Sequence, residues 1–264
     1  MGKKFQYIYG PVYSWRLGRS LGIDLVFDKK KRCNFDCVYC QLGKTFTYTN
    51  KRKIFVPTDK IKEELKRLPK LKIDYITFSG SGEPTLAKNL KDIVYFIKEN
   101  FKIPVAILTN ASLLDNPQVK KDLLLFDFVC LKLDAKDTIK FKKVNRPYKK
   151  LDFNKIIDAI LDFKKIYKKR LALQIMFVEE NKTDASEIAE LAYKIMPEEI
   201  QINTPLRPSK VKPLNKDDIL KIKDIFLKKF ASTKVKIISV YDKLMKKKIR
   251  PLSEEQTFLR RPDK

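Results

Sequence analysis

The sequence predicts an α/β fold made of repeating strand–helix units, either an open barrel or a doubly wound parallel sheet. Three observations predict it. Short, near-continuous apolar runs such as Val105–Thr109 and Phe128–Leu133 read as strands buried on both faces. Amphipathic segments of helical period alternate with those runs and supply the covering layer. No linker, repeat or low-complexity stretch divides the 264 residues, of which 44% are hydrophobic, so one sizeable core is expected.

Taken in order, the chain starts with tyrosine-rich, irregular sequence and a Gly10-Pro11 turn signal. Trp15-Arg16-Leu17-Gly18-Arg19-Ser20-Leu21-Gly22 then frames two arginines with glycines. It reads either as a turn with solvent-facing charge or, preferably, as backbone that approaches a ligand closely. Ile23–Phe27 is expected as a short strand, followed directly by a cysteine-rich loop. Thr58 is expected to cap a helix running to about Leu68. Strands are predicted at Ile73–Phe78, Val105–Thr109, Phe128–Leu133, Leu171–Val178, Ile200–Asn203 and Val235–Val240. Helices are predicted at Leu86–Asn100, Pro117–Leu125, Asn154–Lys168, Asp184–Ile195 and Lys216–Phe230. Ile156, Ile157, Ile160, Leu161 and Phe163 give the helix at 154–168 a strong apolar stripe. From Lys243 the chain becomes basic and poorly periodic, either a solvated tail or an RNA-binding arm.

Composition narrows the chemistry. Lysine and arginine number 58 against 32 aspartate and glutamate, a formal charge of +26. Such a balance favours polyanions, RNA above all, through phosphate neutralisation and counterion release. A thermophile surface is the plainer reading, but lysine outruns glutamate further than ion-pair networks require. The chain contains no histidine, which removes His-based catalysis and the usual catalytic zinc sites. The start lacks the apolar stretch of a signal peptide and no window approaches eighteen apolar residues, so a soluble, cytoplasmic protein without membrane contact is expected.

Three of the four cysteines, Cys33, Cys37 and Cys40, fall within eight positions. That clustering does not suit a disulfide framework. Soft thiolates at C-x3-C-x2-C spacing can hold three corners of an iron–sulfur cube and leave one iron open to a small molecule. A closed zinc site would need a fourth ligand, which only distant Cys130 or a carboxylate could provide. In βα repeats the loops at the carboxyl ends of the strands gather on one face. The cysteine loop, Ser79-Gly80-Ser81-Gly82-Glu83-Pro84-Thr85, Thr109-Asn110, Asp134 and Asn203-Thr204-Pro205 all fall at such ends.

C-x3-C-x-aromatic-C after the first strand, with a Gly-Glu-Pro turn after the second, resembles the radical S-adenosylmethionine (SAM) superfamily. The resemblance implies a partial (β/α)6 barrel of the TIM-like type over residues 1–240, with its core at about 20–208, and a basic tail over 241–264. It implies a [4Fe–4S] cluster on Cys33, Cys37 and Cys40, with SAM chelating the fourth iron. Reductive cleavage of SAM would give a 5′-deoxyadenosyl radical that abstracts hydrogen, the electron coming from a donor such as ferredoxin or flavodoxin. Tyr39 takes the aromatic position near the adenine, and Ser81-Gly82-Glu83 matches the turn that receives the SAM amino group, with serine for the usual first glycine. Asn110, Asp134, Gln174, Met176 and Asn203 are further cofactor-facing positions by strand placement. Over residues 10–208 the motifs resemble the group related to archaeal wyosine-base tRNA synthases, which implies tRNA or another RNA as the target. The additional N-terminal cysteines of those synthases are missing here. A protein or small-molecule target, as in activases, is the alternative within the superfamily; an RNA-binding protein with a structural metal site is the alternative outside it.

Alternation along Val129–Asp134 places Cys130, Lys132 and Asp134 on one face. An inward lysine must be paired or neutralised, so Lys132 is expected to pair with Glu83 or Asp134 and orient that carboxylate. The plain reading of Lys132 is a solvated edge position, and of Cys130 a small core hydrophobe. Arg16, Arg19, Arg146 and Arg207 are candidates for contact with a phosphorylated or carboxylated substrate, because arginine pairs such groups bidentately.

Overall fold

A hairpin opens the fold. β1 (Ile8–Ser14) pairs antiparallel with β2 (Gly18–Ile23), and β2 pairs in parallel with β5 (Tyr75–Phe78). From β5 the sheet continues, all parallel, through β6 (Val105–Thr109), β7 (Phe128–Lys132), β8 (Arg170–Met176), β9 (Glu199–Asn203) and β10 (Lys236–Ser239). The computed structural model describes residues 4–28 and 30–243. Its eight-stranded curled sheet is the partial barrel that the family resemblance implies. A second, two-stranded ribbon joins β3 (Arg32–Cys33) to β4 (Thr47–Tyr48) inside the first crossover.

Helices α1 (Thr58–Lys66), α2 (Leu90–Asn100), α3 (Pro117–Leu123), α4 (Thr138–Val144), α5 (Phe153–Ile166), α6 (Ala185–Ile195) and α7 (Lys216–Lys229) lie between the strands. Their apolar stripes bury against the outer face of the sheet: Ile93, Val94 and Ile97 from α2, Ile156, Ile160 and Phe163 from α5, Ile188 and Ala192 from α6. A smaller inner core of Leu17, Ala106, Phe128, Cys130 and Ala172 fills the start of the barrel, and Leu17 comes from the hairpin turn. The hairpin therefore closes the barrel at the amino ends of its strands.

Three expectations are corrected. The first barrel strand lies at Gly18–Ile23 rather than Ile23–Phe27. The Tyr9 ring lies on Gly22, where a Cβ would come within 2.1 Å of it, so this strand glycine makes room for the ring. Asp24 then turns the chain, accepting from Val26 N at 3.1 Å. Thr58 does not cap α1 with its side chain; its Oγ1 accepts from Asn89 Nδ2 at 2.9 Å. A 3-10 turn at Pro84–Leu86 precedes α2, which starts at Leu90. Helix α4 was not expected, because it buries only Phe141 and Val144 and so shows little period.

The edge strand is held by a buried acid. Glu64 of α1 accepts from the backbone N–H groups of Gln6, Tyr7 and Ile8 at 2.7, 2.9 and 3.0 Å. Those bonds satisfy its carboxylate away from water. Among the described residues no helix is long and apolar enough to cross a membrane. Of the basic tail expected over 241–264, residues 241–243 complete a helical turn with Val240; the rest lies outside the described residues.

Candidate functional site

The cysteine loop leaves β2 and crosses the carboxyl ends of the neighbouring strands. It is fastened on two sides. Arg32 N donates to Ser81 O at 3.1 Å, and a Cβ on Gly82 would sit 1.4 Å from Arg32 O, so only glycine lets the loop lie against the turn after β5. On the other side Val38 N donates to Val144 O at 3.0 Å and Tyr148 N to Asn34 O at 2.8 Å, tying the loop to the end of α4. Cys33 is buried, Cys37 and Cys40 are half-buried, and all are free thiols.

Donors and positive charge surround the sulfurs. Phe35 N donates to Cys33 Sγ at 3.4 Å and Asn145 Nδ2 to Cys37 Sγ at 3.6 Å; Asn110 Nδ2 lies 4.0 Å from Cys33 Sγ. Lys31 is buried with its Nζ on Gly43 O at 3.1 Å. Burial acts to lower the Lys31 pKa, but the charges of Cys40, Cys33 and Cys37 outweigh it and raise the pKa. Burial, then the charge of Asp134, pushes the Cys37 thiol up to about 11. Burial and Glu83 push Cys33 up as well.

Two buried carboxylates organise the face. Asp134 Oδ1 accepts from Met176 N at 2.7 Å and pairs with Lys132 Nζ at 3.1 Å. Its Oδ2 accepts from Tyr39 OH and from Asn145 Nδ2, the latter at 2.8 Å. Of the two partners expected for Lys132, Asp134 is the one found; the lysine is largely shielded, with its Nζ 4.9 Å from the Tyr39 ring centroid. Glu83 accepts from Thr85 N, Thr85 Oγ1, Thr109 Oγ1 and Asn110 N at 3.0, 2.6, 2.5 and 2.8 Å. It thus pins the end of β5 to the end of β6. Burial raises its pKa against the opposite pull of those four donors.

Between this face and the hairpin lies a cavity of about 460 Å³. Of the sequence-predicted residues, Tyr39, Cys40, Lys132, Gln174, Met176, Asn203, Arg16 and Arg207 line it. Ser81, Gly82, Glu83, Asn110 and Asp134 do not line it, nor do Cys33 and Cys37. The turn after β5 reaches the cavity through Ser79 and Gly80, while Ser81 N and Oγ bind Asp24 Oδ2 at 2.9 and 2.6 Å. Arg19 is away from the cavity, in a fork-like pair with Asp74 before β5. Arg146 is exposed, and its carbonyl accepts from Tyr48 OH. Arg207 is exposed at the cavity mouth, with Nη1 on Gln41 Oε1 at 3.0 Å. A separate cleft of about 720 Å³, around Lys51, Arg52, Lys88 and Asp122, contains none of the predicted residues.

Sequence reasoning missed Asn145, which reaches Cys37, Tyr39 and Asp134 with one amide, and Asn181, which donates to the carbonyls of Asp134 and Met176 at 2.8 and 3.0 Å. Neither lies in a motif. It also missed Tyr9, Tyr13 and Trp15, which line the cavity from the hairpin; their clustering before Gly18 was the available signal.

The donor set suits an iron–sulfur cluster in kind: three free thiols on one loop, with N–H donors from Phe35 and Asn145 on the sulfurs of Cys33 and Cys37.

Comparison with known proteins agrees. The family model of the Radical SAM superfamily matches residues 30–192. The chain is 40% identical over 218 residues to a UPF0026 protein of Synechocystis, covering 82% of this chain and 81% of that one. It is 36% identical over 271 residues to a protein named GTPase Obg of Brachyspira hyodysenteriae, covering 98% of this chain but only 39% of that one. Among solved structures it is similar to SuiB of Streptococcus suis bound to S-adenosylmethionine, with a TM-score of 0.63, 14% identity, and coverage of 82% of this chain and 50% of that one. On the family match and the Synechocystis relative, this chain belongs to the radical SAM superfamily, whose members are enzymes that use a [4Fe–4S] cluster and S-adenosylmethionine.

Proposed function

We propose that Cys33, Cys37 and Cys40 hold the cluster, that SAM occupies the adjoining end of the cavity, and that a substrate group within the cavity loses hydrogen to the 5′-deoxyadenosyl radical. The observation that carries this reading is the cavity itself, which runs from Cys40 and Tyr39 to the hairpin turn. When bound, the cluster and SAM supply the chemistry: one electron cleaves SAM to methionine and the radical. The chain's own residues bind, orient and shield. Tyr39 walls the cofactor end, and its hydroxyl is held by Asp134. Gly80, Met176 and Asn203 offer backbone and side-chain contacts there, and Gln174 and Lys132 continue the wall inward. Ser81, Gly82, Glu83, Asn110 and Asp134 hold those groups in place from behind, with Lys132 orienting Asp134. The β1–β2 hairpin excludes water from the opposite end, which protects a radical from side reactions.

RNA, tRNA in particular, is the finer reading of the target, supported by the charge of +26 and the exposed Arg146 and Arg207 near the cysteine loop and the cavity mouth. A small molecule or protein side chain is the second reading, favoured by the cavity volume, which lies in the usual range for small-ligand sites. A ferredoxin- or flavodoxin-like donor in the cytoplasm would deliver the electron; exposed Lys30, Lys44 and Phe46 beside the cysteine loop suit an acidic redox partner.

The test is anaerobic reconstitution followed by incubation with SAM and reductant. Brown protein with iron and sulfide, SAM cleavage to 5′-deoxyadenosine, and loss of both in Cys33→Ser, Cys37→Ser or Cys40→Ser are expected. Colourless protein with stoichiometric zinc would overturn the reading. Cleavage that rises with bulk tRNA at low salt supports RNA; no response there removes it, since phosphate-driven binding is strongest at low salt.

A further inference from the structure

The hairpin turn carries an arginine into the barrel. Trp15, Arg16 and Leu17 lie at the amino ends of the strands: Ser20 of β2 pairs with Tyr75, the first residue of β5, and Leu17 packs on Phe128, the first residue of β7. Arg16 lines the same cavity that Cys40 and Tyr39 line at the other end. Its Nε is sealed from solvent and has no hydrogen-bond partner among the described residues.

What sets Arg16 apart is the missing carboxylate. Among the described residues every other partly buried arginine has one: Arg19 has Asp74, Arg32 (whose Nε is likewise sealed and unpartnered) has Asp28 at 2.6 Å, Arg52 has Asp122 at 3.0 Å and Arg170 has Glu199 at 2.6 Å. Glu199, whose charge reaches Arg16, is already held by Arg170, Lys236 and Gln201. The Trp15 ring lies beside the Arg16 guanidinium, its centroid 5.2 Å from Cζ. Arg16 is half-buried; leaving its sealed Nε without an acceptor is costly, and the planar donors of the guanidinium suit an oxyanion.

We propose that Arg16 is the anion-binding residue of the substrate site, so that the group entering the cavity carries a carboxylate or a phosphate bound at the hairpin end. The assignment rests on the reading that the reaction takes place in this cavity. It deepens that reading by naming the substrate class. SAM's own carboxylate is not the occupant, because the cofactor-facing positions lie at the carboxyl ends of the strands and Arg16 at the amino ends. An acid fixed at the floor would present the rest of the substrate toward the cofactor end.

Trp15 is the single tryptophan of the chain and touches Arg16, so its fluorescence reports on this site directly. The full chain with its cluster reconstituted is titrated with acetate, inorganic phosphate or SAM, each against chloride at constant ionic strength. A saturable emission change with acetate or phosphate is expected, and the stronger of the two identifies the acid. Arg16→Gln should abolish the change, and Arg16→Lys should weaken binding by about tenfold, since the point charge remains but the fork is lost. In the wild type the same anion should raise Tm by about 2–5 °C near tenfold Kd. No saturable change below about 100 mM of either anion, far above the millimolar range, would overturn the assignment. So would an equal response in Arg16→Gln, or a response to SAM alone. If Arg16→Gln does not fold, the wild-type titration and Arg16→Lys still decide. Iron content and uncoupled SAM cleavage by the wild type report separately on the reaction. A chain that takes no cluster would overturn the reaction reading while the Trp15 titration still decides on Arg16.

Discussion

The Tyr39 hydroxyl donates to the Oδ2 of Asp134, across 95 residues of sequence, and so fixes the middle of the cysteine loop to the end of β7. The carboxylate it meets also holds Lys132, Asn145 and Met176 N. Asp134 is fully shielded and Lys132 half-buried, and removing one partner of such a pair leaves the other charge uncompensated. Asp134→Asn is therefore expected to cost about 3 kcal/mol in urea unfolding, and Tyr39→Phe only about 1 kcal/mol. Both should retain less iron after reconstitution, Asp134→Asn the less of the two. Equal stability losses in the two variants would show that the hydroxyl bond, and not the charge pair, is what matters.

Gly82 offers a sharper test of how the loop is seated. A methyl group there would overlap the Arg32 carbonyl, which is backbone and cannot rotate away. Gly82→Ala must push the β3 segment off the turn after β5, at a cost of about 1–3 kcal/mol or more. Its far-ultraviolet circular dichroism should stay native, because the strands themselves are untouched, while iron retained per chain falls. Full iron retention with native stability would mean that the contact is not required to seat the cysteines.

Most of the parallel sheet was legible because fully buried strands read as apolar runs: Val105–Thr109 needed no correction and Phe128–Leu133 only one residue. The hairpin was not legible, because its strands carry Gly10, Pro11, Gly18, Arg19 and Gly22, residues that mark turns or surfaces by propensity and become strand only through pairing. The three clustered cysteines stood out by their spacing. The residues that hold their loop did not. Asn145 has no motif and acts by arriving at three groups from the end of a helix too short to show a period. Glu83 was visible as part of a ligand-binding turn; that its carboxylate also accepts from Thr85, Thr109 and Asn110 only the approach of β5 to β6 reveals.

Cys130 should behave as core, not as a ligand. It is buried on β7, in contact with Gln201 Oε1 at 3.6 Å, and burial pushes its thiol up to about 11 against the charges of Arg16 and Lys132. At about pH 8 only about 0.1% of it would be thiolate. Iodoacetamide followed by peptide mapping should therefore label half-buried Cys40 first in cluster-free protein and spare Cys130 until urea unfolds the chain. Cys130→Ser should retain its iron. Native labelling of Cys130 at the rate of Cys40 would refute the assignment.

The acid limb of stability should depend on Asp184. This shielded carboxylate precedes α6 and lies 3.0 Å from Lys136 Nζ and 2.8 Å from Lys140 Nζ. Burial alone would raise its pKa, but the bonds from Lys140 and Lys136 outweigh burial and lower it. With the folded value below the unfolded one, the unfolded chain binds the proton more readily, so stability rises with pH through that window. The contribution is complete above the ordinary aspartate value of about 3.9 and is lost as pH falls through the lower folded value. Asp184→Asn should cost about 1 kcal/mol at neutral pH, kept small because both ammonium groups reach solvent. Urea midpoints for the two proteins should converge as pH falls below the folded value. A gap that stays constant from neutral pH to that limit would mean the aspartate acts through shape alone, and the two lysines add no charge stabilisation at the start of α6.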